Sequence, residues 1–344
     1  MNFASDNAGP AHPKVIEALG RANEGHVGSY GADPLTQGAA DKLREVLGAP
    51  EAAVHFVATG TAANALALAC LAEPWSAIFC APAAHVHVDE CNAPEFYTGG
   101  AKLIPVQGPD GKIGAASLEA AILAEETRGV HGPQRGPVTL TQATESGTTY
   151  SQSELEAIGT VAGRYGVKLH MDGARLANAL AASNLAPAQM VERVAALSFG
   201  GTKNGLLGAE AVVLFDPELS WQFELRRKRA GHLFSKHRYL AAQMDAYLTD
   251  GLWMELASRA NAAATRLSEG LVAQGYELAW PTEANMVFFR APARVHEAAM
   301  AQGAVYHLWD EAGEENPDRP VTARLVCDWS KSDGEVDALL ALFA

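Results

Sequence analysis

Lys203 lies in SFGGTKNG, where a short apolar run gives way to glycines on either side of one amine. Such an amine, held on a tight turn after a strand, is suited to condense with an aldehyde. Upstream, GVKLHMDGAR places Asp172 at the end of another apolar run. A capturing amine and a carboxylate that keeps a pyridine nitrogen protonated are the pair that a pyridoxal phosphate site requires. A third segment, FVATGTAANALALACL, reads as a strand, a Thr-Gly-Thr turn and an Ala/Leu-rich helix. The first turn of such a helix offers unpaired N–H groups and the positive end of its dipole, which suit a phosphate. Gly60 and Thr61 are the expected phosphate-binding residues, with Thr59 as a further hydroxyl.

Around these three pieces stand further groups able to do chemistry. CAPAAHVHVDECNAPEF crowds His85, His87, Asp89, Glu90 and Cys91 just after an apolar run. Two readings compete for it: a metal site, or an imidazole lying flat on a pyridine ring. The lysine, the aspartate and the phosphate turn decide for the second, so no metal is expected. Arg175, three residues after Asp172, and Arg324, in TARLVCD, are the arginines placed to bind a carboxylate through a planar fork. His131, in the glycine-rich RGVHGPQRG, is a candidate acid or base.

The elements that must position these groups are legible as alternation. AAVHFVAT, SAIFCA, KLIPVQ, PVTLTQA, VKLHMD, ALSFGG and AEAVVLF are expected strands, with helices between them such as Ser117 to Glu126 and Ser153 to Tyr165. This order predicts an α/β fold whose mainly parallel central sheet is covered on both faces. The phosphate turn follows the first strand, Asp172 ends the fifth and Lys203 follows the sixth. In a sheet of this kind ligands bind beyond the carboxyl ends of the strands, so all three converge on one crevice. After residue 217 come helical segments, then strands in NMVFFR, AVYHLW and TARLVCD and a last helix near Glu335 to Phe343. The expected division is a large domain with the N-terminal segment over 1–245 and a smaller C-terminal α/β domain over 246–344. EAGEENPDRP reads as a polar loop.

With 344 residues, 48% of them apolar, the chain buries a large core, and 26 basic against 40 acidic residues give a net charge of -14. That balance argues against nucleic acid and anionic membrane surfaces as partners. There is no run of about twenty apolar residues, and MNFASDNAGPAHPK has no apolar signal core. A cytoplasmic location is therefore expected. Cys70, Cys80, Cys91 and Cys327 have no CxxC spacing and read as structural thiols. No Walker A or strand-following GxGxxG pattern is present.

FASDN, SYGADP, TGTAAN, AAHVHVDE, LHMDGAR, SFGGTKNG and RLVCDW, in this order along nearly the whole chain, resemble the L-threonine aldolases. The APEF and FGGTKNG variants look like the low-specificity branch. The resemblance implies the aspartate aminotransferase fold group (fold type I) and pyridoxal 5'-phosphate as cofactor. It implies Lys203 holding that cofactor, Asp172 facing its nitrogen, His85 stacked on its ring, and Gly60 and Thr61 on its phosphate. It further implies Ser5, Arg175 and Arg324 on the amino-acid carboxylate. The site would be completed by a neighbouring subunit of a homo-oligomer, a tetramer, through Tyr30 and the segment around Lys236 and Arg238. Where that family carries an arginine in a glycine-rich stretch, this chain reads AGHLFSKHR.

The activity implied is cleavage of L-threonine, L-allo-threonine and related β-hydroxy-α-amino acids, extending to phenylserine, to glycine and an aldehyde. His85 is the first choice of base for the β-hydroxyl proton, ahead of His131 or a water held by Glu90. An aminotransferase or β-eliminating lyase on the same fold, a metal-dependent hydrolase using His85, His87, Asp89 and Cys91, and a silent relative are the alternatives.

Overall fold

The computed structural model describes residues 1–125, 127–309 and 316–344. Glu126, the expected last residue of one helix, and residues 311–315 of the expected polar loop lie outside them. Seven strands form the larger sheet: β1 Ala53–Val57, β2 Ser76–Cys80, β3 Lys102–Pro105, β4 Gln134–Thr141, β5 Leu169–Gly173, β6 Ala196–Phe199 and β7 Glu210–Leu214. Each coincides with one of the apolar runs above. Their spatial order is β1-β7-β6-β5-β4-β2-β3. The β2, β3, β4, β5 and β6 pairings are parallel, and β7 runs antiparallel between β1 and β6. The strands are continuous apolar runs because both faces are covered. Apolar cores lie on both sides, one built on Met171, Leu197 and Val213, the other on Val57, Leu66 and Val212.

Four further strands, β8 Glu277–Leu278, β9 Met286–Pro292, β10 His307–Leu308 and β11 Pro320–Val326, form an antiparallel sheet ordered β10-β11-β9-β8. The helix Leu252–Ala273 joins the two regions. Its first half, through Trp253 and Leu256, packs in the large core, and its second half, through Ala263 and Leu267, packs in the small one. Phe3 also belongs to that second core, and Asn2 bridges to Val305. The N-terminal segment thus starts against the small sheet and then crosses to the large one. That crossing carries Ser5 and Asp6 past the carboxyl ends of the strands. Among the described residues, no helix is long and apolar enough to cross a membrane.

Candidate active site

The helix Gly60–Leu71 begins directly after β1. Thr59 is its N-cap: the Thr59 hydroxyl oxygen accepts from Ala62 N at 3.2 Å, which leaves the amides of Gly60 and Thr61 without helical partners. A Cβ placed on Gly60 would meet nothing within 4 Å, so the space in front of this turn is open. That space is a cavity of about 370 Å³ lined by Thr59, Gly60, Thr61, Asn64, His85, Asp172, Lys203 and Glu210, among others. Free amides at a helix start, two threonines and an open approach fit a phosphate.

Asp172, buried near the end of β5, lines the same cavity. Its Oδ2 accepts from Asn64 Nδ2 at 2.9 Å and its Oδ1 from Ala174 N at 3.0 Å. Asn64 is the one amide side chain in a helix otherwise built, after Thr61, from apolar residues, and its other amide hydrogen goes to Glu90 Oε1 at 2.8 Å. The same Glu90 oxygen accepts from His85 Nδ1 at 2.8 Å. A continuous chain of hydrogen bonds therefore runs Asp172, Asn64, Glu90, His85. The bond to Glu90 raises the proton affinity of His85, against the opposing effect of burial. Glu90 is also pushed up, chiefly by burial. With Nδ1 committed to Glu90, His85 keeps Nε2 for the cavity.

Lys203 stands in the short turn Thr202–Asn204 after β6. Gly200 is required here: a Cβ on it would lie 2.5 Å from Ala174 O, so only glycine lets this turn pack on the loop that follows Asp172. Asn204 anchors the far side of the turn, donating to Tyr247 Oη at 2.7 Å and Trp253 O at 2.8 Å.

The arginines gather at the cavity's edge around Asp6. Arg175 Nε and Nη2 donate to Asp6 Oδ2 and Oδ1 at 2.7 and 3.0 Å, and Asn285 also donates to Asp6. Burial alone would raise the proton affinity of Asp6, but Arg175 and Lys203 outweigh it and hold the carboxyl below its usual range. One edge of the Arg175 fork is thus taken, and Nη1 remains. Arg324 lies over the Trp309 ring at 5.2 Å, and its Nη2 donates to Ala4 O at 3.3 Å. Its Nε is buried with no partner. Burial and the nearby Arg175 lower its proton affinity, the signature of a guanidinium that gains from an added anion. Ser5 Oγ accepts from Asn7 N at 3.2 Å, beside the same pair.

Not every residue expected at the site joins it. His131 does not line the cavity of this chain: it lies exposed in the turn Gly129–His131 before the amino end of β4, whereas the crevice lies beyond that strand's carboxyl end. Eight residues of β4 separate the two, roughly 25 Å at strand rise. His87, Asp89 and Cys91 are exposed and diverge from His85, and among the described residues no group of three or more His, Cys, Asp or Glu can hold a metal ion. Tyr30, Lys236 and Arg238 do not line the cavity of this chain. Asn64, Asp6 and Glu210 are site residues that sequence reasoning missed. Asn64 and Glu210 carried a signal, a lone polar or charged residue inside or opening an apolar run, whereas Asp6 in FASDN carried none.

A lysine amine, a buried aspartate, an imidazole and a helix start with free amides around one cavity fit pyridoxal phosphate in donor set. The comparisons agree. A family model described as "Beta-eliminating lyase" matches residues 2–293. A low specificity L-threonine aldolase of Pseudomonas sp. (strain NCIMB 10558) is 39% identical over 99% of this chain and 96% of its own length. Another from Pseudomonas aeruginosa is 41% identical over 96% of this chain and 93% of its own. The solved threonine aldolase of Leishmania major superposes with a TM-score of 0.92 at 29% identity, covering 99% of this chain and 98% of that one. The chain belongs to the low-specificity L-threonine aldolases of the beta-eliminating lyase family.

Proposed function

We infer that this chain is a pyridoxal phosphate-dependent carbon–carbon lyase that cleaves L-threonine, L-allo-threonine and related β-hydroxy-α-amino acids to glycine and an aldehyde. The observation that carries the reading is that Lys203, Asp172, His85 and the free helix start line one cavity. When bound, the cofactor supplies an electron sink for the pair released by the breaking Cα–Cβ bond.

The chain's own residues do the rest. Lys203 supplies the amine that holds the aldehyde, and Asp172 holds a proton at the pyridine nitrogen, its own oxygens fixed by Asn64 and Ala174. Gly60 and Thr61 bind the phosphate. Arg324, with its unpartnered Nε, is the first anchor for the substrate carboxylate, supported by Arg175 and Ser5. Holding the carboxylate there turns the Cα–Cβ bond, rather than Cα–H, across the conjugated plane. His85 Nε2 takes the β-hydroxyl proton, because Glu90 fixes the ring with that nitrogen open.

A second copy of the chain completes the site in this proposal, within a cytoplasmic tetramer assembled from dimers. Tyr30 supports it: a non-glycine residue at φ 58°, 48% exposed, outside its own cavity and held under Lys228 at 4.7 Å. A backbone held in this sparsely populated region on an exposed tyrosine points to a task elsewhere. Lys236 is exposed on the adjoining segment, where Ser235 O accepts from Tyr30 N at 3.0 Å.

Borohydride treatment followed by peptide mapping tests the root of this reading, and the cofactor is expected on the Lys203 peptide. Threonine is expected to yield acetaldehyde and glycine without a keto acid and in the presence of EDTA. A Lys203→Ala protein that cleaves threonine at the parental rate would overturn it.

A further inference from the structure

Glu210 opens β7, a charged residue at the head of the apolar EAVVL. Because β7 is antiparallel to its neighbours, its first residue lies at the crevice end of the sheet, opposite Val57. The side chain is buried, lines the cavity beside Lys203, and accepts from Gly201 N through Oε2 at 2.7 Å. Thr202, the next residue, also approaches the same carboxylate through its hydroxyl and its backbone amide. Lys203 and Tyr247 are the titratable groups that face Glu210. Burial is the main influence on the group and pushes it up to about 7. A phosphate in the adjoining cup would favour the neutral acid still further. Any role for Glu210 must therefore survive protonation, and a carbonyl oxygen accepting from a backbone amide does.

We propose that Glu210 is a positioning residue that clamps the Gly201 amide and so fixes the direction in which Lys203 leaves its turn. The clamp sets the rate at which the lysine amine captures the cofactor aldehyde. In that step the nitrogen–carbon bond forms while the carbonyl oxygen leaves with the two amine hydrogens as water. The inference rests on the pyridoxal phosphate reading above. Turn geometry governs such a step because misplacement of a reacting group by an ångström costs about a hundredfold in rate.

The test compares the parent with Glu210→Gln, Glu210→Leu and Glu210→Asp. Three quantities are read on each: thermal midpoint, affinity for pyridoxamine phosphate, and rate of borohydride-fixable capture of pyridoxal phosphate. Pyridoxamine phosphate carries no aldehyde and so reports the cup alone. Glu210→Leu removes the acceptor at similar volume and is expected to bind pyridoxamine phosphate within twofold of the parent while capture slows at least tenfold. Glu210→Gln keeps an oxygen for Gly201 N and is expected to capture within about threefold of the parent. Glu210→Asp withdraws the acceptor by one methylene while keeping the acid; it is expected to capture slowly, and it decides the matter if the leucine variant does not fold. Parental capture in the folded leucine or aspartate variant, or a glutamine variant as slow as these, overturns the proposal. If the parent itself fails to capture the aldehyde, the cofactor reading falls instead.

Discussion

At the scale of the residue, Asn64 and Glu90 decide what His85 can do. Asn64 hands one amide hydrogen to Asp172 and the other to Glu90, so the buried aspartate and the carboxylate behind the imidazole are braced by one side chain. Glu90 raises the proton affinity of His85 above that of an ordinary imidazole. To accept a proton His85 must be neutral, so the acid limb of the kcat/KM profile is expected above the usual histidine range. Replacing Glu90 with Gln keeps an oxygen for Nδ1 but removes the charge, and the limb is expected to move to lower pH. His85→Asn, by comparison, is expected to lose about 10²- to 10⁴-fold in kcat/KM while the cofactor stays bound, the usual span for a general base. Steady-state cleavage measured across pH checks both. An unmoved limb in Glu90→Gln separates Glu90 from the chemistry, and near-parental cleavage by His85→Asn removes the histidine as base.

At the scale of the element, close approach of backbones brings lysine and aspartate to the same crevice. β5 and β6 are parallel neighbours, and the turns that leave them touch where Gly200 meets Ala174. Gly200→Ala drives a methyl into backbone rather than into a yielding side chain, and is expected to lose about 1–3 kcal/mol of stability. Cofactor is also expected to be lost more readily, because the Lys203 turn must back away. Urea denaturation with and without pyridoxal phosphate reads both effects, and a parental midpoint would show that the turns have slack. All seven strands of the large sheet were legible because strands covered on both faces must be unbroken apolar runs. The site was legible in part for the same reason: Asp172 and Lys203 stand where such runs stop. Less was readable before residue 50, where the helices Pro13–Ala22 and Pro34–Leu47 were not anticipated, although His12-Pro13 and Asp33-Pro34 are cap-and-proline starts. Asp6 against Arg175 was beyond reach of the sequence, since 169 residues separate the partners. The place of His131 outside this chain's cavity was not readable either, because a glycine-rich loop before a strand does not say at which end of the sheet it lies.

At the scale of the whole molecule, acid sensitivity follows from where three histidines sit, and the proposed assembly is tested at one tyrosine. His55, His170 and His237 are buried, and burial lowers them to about 3, 4 and 4 from an ordinary 6.5. On unfolding near pH 5 each takes up a proton that the folded state refuses. Their contribution to stability is therefore complete above pH 6.5 and is lost as pH falls toward 4. A thermal midpoint that declines through that window, with proton uptake on unfolding, is the expected result; a flat midpoint there would contradict neutral burial. Assembly is tested by complementation. If Tyr30 serves the cavity of a second copy, a Lys203→Ala subunit can lend its tyrosine to a Tyr30→Ala subunit whose lysine is intact. Each mixed dimer then holds one whole site and one doubly damaged site. Random pairing of equal amounts makes half the dimers mixed, so about a quarter of the parental sites should return. Co-refolding the two variants and measuring threonine cleavage against each alone reads that fraction. Activity no greater than the sum of the separate variants would place Tyr30 outside any shared site and leave the cavity described here to a single chain.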